Sequence, residues 1–516
     1  MLSLKVFPAA IVLWMTAAGA PSGFATAPSA TPPATPGPAK GPAAPLGVAM
    51  VANAPDSITL AWYRPADEVK SYIIYAGSAK EGEFKRIASV TDRTFTHSKL
   101  PADASYFYRV SAVTAEGESE QSKPVNGFTF TRCAGAPFPV RVAKNMCVTL
   151  GATVVSTPEP SAGKLADLVD GSDATSATLT GECEVKIKLN PSVPIADASY
   201  LLLNFRTDMS GQGYAYNINW RALKNYVVIE SHDSTNGSDG TWTEVVSGTN
   251  KYLDGVVVIP NHQPKWIGIR NSGSLQLCRL DVFRAAPAGF RNDYWIFTGD
   301  SLVVQDFAGG SPEKHSVWFS DLVRQRHPDR YPILVQSSQG GEMMENTLGR
   351  LKGTLASLSP PNGTSTPTAT LVCWESGFND VGIGGGLWMG KKIIKTLTDA
   401  QEVCETNGLI FVPVRLEYST GYLNKETLEP AKYNIFHNTL AVNLAGVDVF
   451  CRTRTPYACD PATQLPYADY WTYIRQNYAT ALAKDGVHHT KAGSDGINQL
   501  WAEIAGKMVY ATGASR

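Results

Sequence analysis

Between about Pro45 and Phe130, apolar and polar residues alternate in short runs separated by turn residues. In Ser57–Trp62 the side chains of Ile58, Leu60 and Trp62 fall on one face and their neighbours on the other, the period of a half-buried strand. Ser71–Tyr75 and Tyr106–Val113 continue the pattern, which predicts a small β-sandwich. From about Cys133 to Pro287 the chain is again strand-like, after a loop-rich start at Leu165–Gly171. The runs are Glu184–Leu189, Tyr226–Ser231, Thr241–Val245, Lys265–Arg270 and Leu280–Phe283. Trp242 and Trp266 fall within these strand patterns and read as core residues. His232 and Asp233 read as a solvated loop, with a ligand loop as the alternative.

The pattern changes at Asn292. Apolar runs at Tyr294–Thr298, Ile333–Gln336, Ala369–Trp374 and Leu409–Leu416 now alternate with helical stretches, and a short strand is predicted at Val447–Phe450. The helices are expected near Ser316–Arg326, Glu342–Leu358, Lys391–Glu405, Tyr433–Leu444 and Asp495–Val509. Strands alternating with helices predict a parallel sheet covered on both faces. In such sheets ligands bind at the carboxyl ends of the strands. The first run stops there at Gly299-Asp300-Ser301-Leu302, which places a serine at a strand end.

Composition narrows the picture. Hydrophobic residues make up 43% and charged residues 18% of 516, enough apolar matter for several cores, and the length predicts about three or four domains. A net charge of -1 with no basic run gives no electrostatic case for nucleic acid. Lys5 followed by the apolar stretch Val6–Ala18 and small residues reads as a secretory signal over 1–25, cleaved after Ala25, with an uncleaved anchor as the alternative. Residues 26–45 are Pro, Ala, Ser, Thr and Gly and read as an extended linker. No membrane insertion is expected once the signal is removed, because the apolar run is short for a span. Export permits disulfides, and the eight cysteines are expected to pair neighbour with neighbour, Cys451 with Cys459 foremost; a free buried thiol is the alternative for Cys373. No Cys or His spacing points to a metal, and no cofactor is expected.

Three resemblances organise these segments. Trp62, Leu100 before the Tyr106-x-Tyr108-x-Val110 strand, and Ala115–Ser119 after it make residues 46–131 similar to a fibronectin type III module. The early Asp170-Gly171, the stretch from Ile229 to Val245, Trp266–Arg270 and the closing Leu280–Phe283 make 132–289 resemble a discoidin-type, galactose-binding-like jelly roll. Residues 290–516 resemble the SGNH, or GDSL, hydrolases through four blocks at successive strand ends: Gly299–Leu302, Gly340-Gly341, Gly377-Phe378-Asn379-Asp380 and Asp485-x-x-His488. The second block departs from the family pattern, with Gln336-Ser337-Ser338-Gln339 where an Asn-x-Gly is usual, so Gly341 is the aligned donor and Gly340 the alternative. The fold class expected is therefore two all-β sandwiches followed by a three-layer α/β domain with a flavodoxin-like parallel sheet.

The SGNH resemblance implies roles. Ser301 is the nucleophile, His488 its base and Asp485 the orienting acid, because a serine hydroxyl needs an adjacent base at neutral pH. The backbone N–H groups of Ser301 and Gly341 and the Asn379 amide are the implied oxyanion donors, each worth about 3 kcal/mol in the transition state. His489 is the alternative base and otherwise a loop residue. Asp300 is expected to bond its turn, and Asp380 to cap the segment after it. His315 and His437 read as helix-surface residues, and Trp374 and Trp388 as either cleft or packing residues.

The function expected is an exported serine esterase that removes short acyl groups, acetyl foremost, from a carbohydrate or polysaccharide. The alternatives are a lipolytic or aryl esterase or thioesterase, a carbohydrate O-acetyltransferase of the same fold, and a non-catalytic glycan-binding protein. Oligomeric state is left open.

Overall fold

The computed structural model describes residues 42–516, apart from 66–67, 132–134, 145, 211–220, 251, 358–369, 381–388, 417–445 and 512–516. The expected signal, most of the linker, Cys133, Trp388, His437 and the helix Tyr433–Leu444 lie outside the described residues.

The first sandwich is built as its alternation requires. A three-stranded antiparallel sheet (Leu46–Ala54, Ser57–Tyr63, Thr94–Ser98) faces a second sheet centred on Ser71–Gly77 and Ser105–Thr114. Ile58, Leu60 and Trp62 point inward and pack on Tyr72, Ile74, Tyr108 and Val110. The second sandwich has two five-stranded antiparallel sheets. One is ordered around Cys183–Lys188, Trp266–Asn271 and Asn225–Ser231, and the other around Leu275–Arg284, Tyr200–Thr207 and Gly255–Pro260. Trp266 is buried, its indole N–H donating to the Ser234 carbonyl. Trp242 departs from the expected core position. It precedes its strand, is partly exposed, and carries Lys186 4.4 Å above its ring.

The α/β region has a four-stranded parallel sheet of β1 (Tyr294–Gly299), β2 (Ile333–Ser338), β3 (Leu371–Glu375) and β4 (Ile410–Pro413), in the order β2-β1-β3-β4. Its helices are α1 (Ser301–Phe307), α2 (Phe319–Arg326), α3 (Met344–Ser357), α4 (Met389–Thr406), α5 (446–454), α6 (Tyr470–Ala481) and α7 (Lys491–Ile504). The apolar strand residues alternate between two cores. Trp295, Phe297, Leu334 and Cys373 face a cluster with α2, α6 and α7, while Tyr294, Ile296, Val335 and Trp374 face α3, α4 and α5. Trp374 is thus a packing residue rather than a cleft residue.

Three expectations are corrected. Val447–Phe450 is part of helix α5, because Val447, Phe450 and Cys451 bury one face at helical spacing. Helix α6 was not expected; it starts on Asp469, which accepts from the Thr472 N–H at 3.0 Å, and buries Tyr470, Trp471 and Ile474. No disulfide joins two described residues, whose seven cysteines are all buried; the expected partner of Cys147, Cys133, lies outside the described residues. Cys451 and Cys459 share one buried cluster, whereas Cys183 and Cys278, expected to pair, bond to the carbonyls of Gly273 and Arg206. No helix among the described residues is long and apolar enough to cross a membrane.

The second sandwich covers the free edge of the sheet. Strand β2 is an edge strand, and its outward backbone groups need partners. Asn204 Nδ2 donates to the Leu334 carbonyl at 3.0 Å, and the Gln336 N–H donates to Asp254 at 3.1 Å. Behind them Arg206 pairs with Asp173 and Asp254, and Arg279 with Asp173 and Asp281, all buried. Burial by itself would raise the Asp173 carboxyl, but Arg206 and Arg279 reverse this and hold it below its ordinary value.

Candidate active site

Ser301 stands where β1 turns into α1. Gly299 is required there: a Cβ would lie 1.8 Å from the Glu375 carbonyl oxygen of neighbouring β3. Asp300 is the N-cap of α1, accepting from the Leu302 N–H at 3.1 Å, so it fixes the turn as expected from its position. Ser301 is thereby the first helical residue, 9% exposed, with its backbone N–H at the positive end of the helix.

His488 and Asp485 come from a tight loop between α6 and α7. The Ala483 N–H donates to the His488 carbonyl at 2.7 Å, and Gly486 to Ala483 at 2.9 Å. Thr490 then caps α7. Within this loop Asp485 Oδ1 accepts from the backbone N–H groups of Val487 and His488, each at 3.0 Å. Its Oδ2 lies 2.7 Å from His488 Nδ1, and His488 Nε2 lies 3.0 Å from Ser301 Oγ.

Proton positions follow from charge. Burial pushes the Asp485 carboxyl up, but the bonds from the His488 ring and the two backbone N–H groups outweigh it and hold it below its ordinary value. An ionised carboxylate only accepts, so Nδ1 carries the imidazole proton. Nε2 is left to accept from the Ser301 hydroxyl. The arrangement can therefore take a proton from Ser301 and return it to a leaving group.

The expected oxyanion residues Gly341 and Asn379 lie on the segments after β2 and β3, at the same end of the parallel sheet as Ser301. Gly341 is exposed in the turn after β2 with φ +76°, a left-handed conformation that favours glycine. Asn379 Nδ2 donates to the Glu342 carbonyl at 2.9 Å and to Asp300 Oδ2 at 3.3 Å, the residues next to Gly341 and Ser301 respectively. An oxyanion role requires Asn379 to share or exchange one of these bonds when substrate binds. The Gly341 turn is held by Glu342, whose carboxylate accepts from Arg350 Nε at 2.9 Å. Asp380 Oδ2 accepts from the Met344 N–H at 2.9 Å, at the start of α3, while the segment after Asp380 that it was expected to cap lies outside the described residues. Leu302, Phe378, Leu416 and Trp471 form a small apolar cluster beside the serine, with Val487 packed on it.

One histidine is placed otherwise than expected, and another is more enclosed than its loop position suggests. His489 is the loop residue it was read as, but it is buried with its Nδ1 2.8 Å from Asp306. His315 is buried rather than on a helix surface, tilted against Trp318 at 5.7 Å, and burial lowers it to about 4. Gln305 and Asp306 were missed by sequence reasoning. The available signal was their position four and five residues after Ser301, one turn along the same helix. His232 and Asp233 sit in a loop beside Glu230, with the His232 side chain 54% exposed.

Comparison with known proteins reaches the first sandwich. The Fibronectin type III domain family matches residues 43–128, and this stretch is a fibronectin type III domain. Titin of Drosophila melanogaster is 41% identical over 71 residues, 13% of this chain and 0% of titin's length. Among solved structures, a Fn3-like protein from Clostridium thermocellum is 23% identical, covering 18% of this chain and 97% of its own, with a TM-score of 0.17. Domains A168–A170 of titin are 26% identical, covering 17% of this chain and 32% of that one, also with a TM-score of 0.17. The chain thus spans a negligible share of titin and about a third of the titin fragment.

Proposed function

We propose that residues 290–516 are an SGNH-type serine ester hydrolase, that the second sandwich is a galactose-binding-like jelly roll, and that the whole is an exported esterase releasing short acyl groups, acetyl foremost, from a carbohydrate. One observation carries the reading: Ser301, His488 and Asp485 form a continuous hydrogen-bonded chain of 3.0 and 2.7 Å at the carboxyl end of a parallel sheet.

In this reading Ser301 Oγ attacks the ester carbonyl carbon while His488 Nε2 takes its proton. Negative charge develops on the carbonyl oxygen, within reach of the N–H groups of Ser301 and Gly341 and the Asn379 amide. Collapse breaks the C–O bond, and the leaving alcohol takes the proton from His488, leaving an acyl-serine. Water then attacks with His488 again as base, releasing the carboxylic acid and restoring Ser301. Asp485 holds the ring in the required tautomer and stabilises the imidazolium. The small apolar cluster at Leu302, Phe378 and Leu416 supports a short acyl group.

The test is acetate release from p-nitrophenyl acetate and from a panel of acetylated polysaccharides. Wild type is expected to release acetate, with Ser301→Ala slower by on the order of 10⁴-fold or more. Faster turnover of octanoyl than acetyl esters would replace the deacetylase reading by a lipolytic one.

A further inference from the structure

His488 and His489 are consecutive, and each holds a carboxylate through Nδ1, yet they face different surroundings. His488 is partly exposed and meets Ser301, with Asp485 on its other side. His489 is fully buried against Asp306, at 2.8 and 3.1 Å to its two oxygens. Asp306 also accepts from the Ser494 hydroxyl at 2.8 Å, and its carbonyl accepts from Asn498 Nδ2 at 2.7 Å. Gln305 brackets the backbone of the same histidine. Its Oε1 accepts the His489 N–H at 3.1 Å, and its side-chain amide donates to the His489 carbonyl.

Gln305 and Asp306 lie on α1, the helix that begins at Ser301. The nucleophile's helix is therefore bonded directly to the residue after the base, without passing through the rest of the fold. We infer that Gln305 and Asp306 are positioning residues: they lock residue 489 onto α1 and so set the distance from His488 Nε2 to Ser301 Oγ. This inference rests on the reading of Ser301 and His488 as nucleophile and base. Main-chain bonds suit the task because they fix the peptide on both sides of His489 whatever its ring does. A shift of about 1 Å between reacting groups can cost on the order of 10²-fold in rate.

The test uses the full chain with Gln305→Leu, Gln305→Glu, Asp306→Asn and Asp306→Ala. Two readouts are taken, hydrogen exchange over 483–490 and kinetics on p-nitrophenyl acetate. Gln305→Leu is expected to speed exchange of the 483–490 amides at least about tenfold, leaving β1 unchanged. It lowers kcat by about 10–100-fold with KM within about twofold. Asp306→Asn, which keeps an acceptor for Nδ1–H, stays nearer wild type in both readouts than Asp306→Ala. If Gln305→Leu does not fold, Gln305→Glu serves, since it retains the acceptor for the His489 N–H and loses only the donor. Unchanged exchange over 483–490, or a freed loop with kcat within about twofold of wild type, overturns the inference. A wild type that cleaves no ester would refute the esterase reading alone, because the exchange result still decides whether the clamp holds the loop.

Discussion

The two β-sandwiches meet the rest of the chain in opposite ways. The core of the first is made of its own residues, from Met50 and Ile58 to Val110 and Ala112. The second shares a core with the α/β sheet: Leu202, Val256, Val258 and Phe283 pack in one cluster with Tyr294, Ile296, Ile333 and Val335. It also spends buried charge on that junction, where Arg206 bonds the Phe307 carbonyl at the end of α1 and Arg279 the Pro332 carbonyl before β2. Sandwich architecture alone therefore does not mark a detachable module. What decides is whether polar backbone at the junction is satisfied internally or by the neighbour.

The largest effect tests the second junction. Expression of 290–516 alone is expected to give aggregated protein, because edge strand β2 loses the partners of Leu334 and Gln336 together with an apolar face. Recovery of a soluble, cooperatively unfolding 290–516 fragment, seen by circular dichroism and sedimentation, would break the comparison. Next, Arg206→Ala in the full chain leaves Asp254 buried without its cation and Asp173 with Arg279 alone, and costs about 3–5 kcal/mol in denaturant unfolding.

A third prediction concerns acid. His315 titrates at about 4 when folded and near 6.5 when free, so the unfolded chain binds the extra proton between these values. Its contribution to stability is fully present above about 6.5 and is lost as pH falls through 4. Relative to His315→Phe, wild type should lose about 3 kcal/mol over that window, and a difference that stays flat with pH contradicts the assignment. The smallest effect is expected at the first junction: deleting 42–130 should change kcat/KM on p-nitrophenyl acetate by less than about twofold and leave the acid sensitivity in place.

Much of this was legible in the chain. Alternation gave several strands of each sandwich but not Tyr200–Thr207 or Gly255–Pro260, whose near-continuous burial leaves no period of two; the strand-helix alternation gave a parallel sheet with Ser301 at its carboxyl edge, because period and chain order are local properties. Ser301, Asp485 and His488 could be singled out because their blocks resemble those of the SGNH hydrolases, and the structure brings them within hydrogen-bonding distance. What escaped were properties of assembly. Val447–Phe450 is too short a run for periodicity to separate strand from helix. Arg206, Arg279 and Asp173 look like surface charges until an interface pairs them. His315 reads as a helix-surface residue, and the burial of His489 goes unread in its loop, because nothing local announces that a second element will cover them. The cysteines were paired by sequence order, whereas Cys183 and Cys278 lie on strands of different sheets.

The central claim is that Ser301 is a nucleophile activated by His488. Incubation of the full chain with a fluorophosphonate, followed by intact-mass and peptide mapping, tests it without reference to any substrate. The account predicts a single adduct on Ser301, lost in Ser301→Ala and formed far more slowly in His488→Ala. A folded wild-type protein that takes up no reagent, or takes it up at another residue, would contradict it.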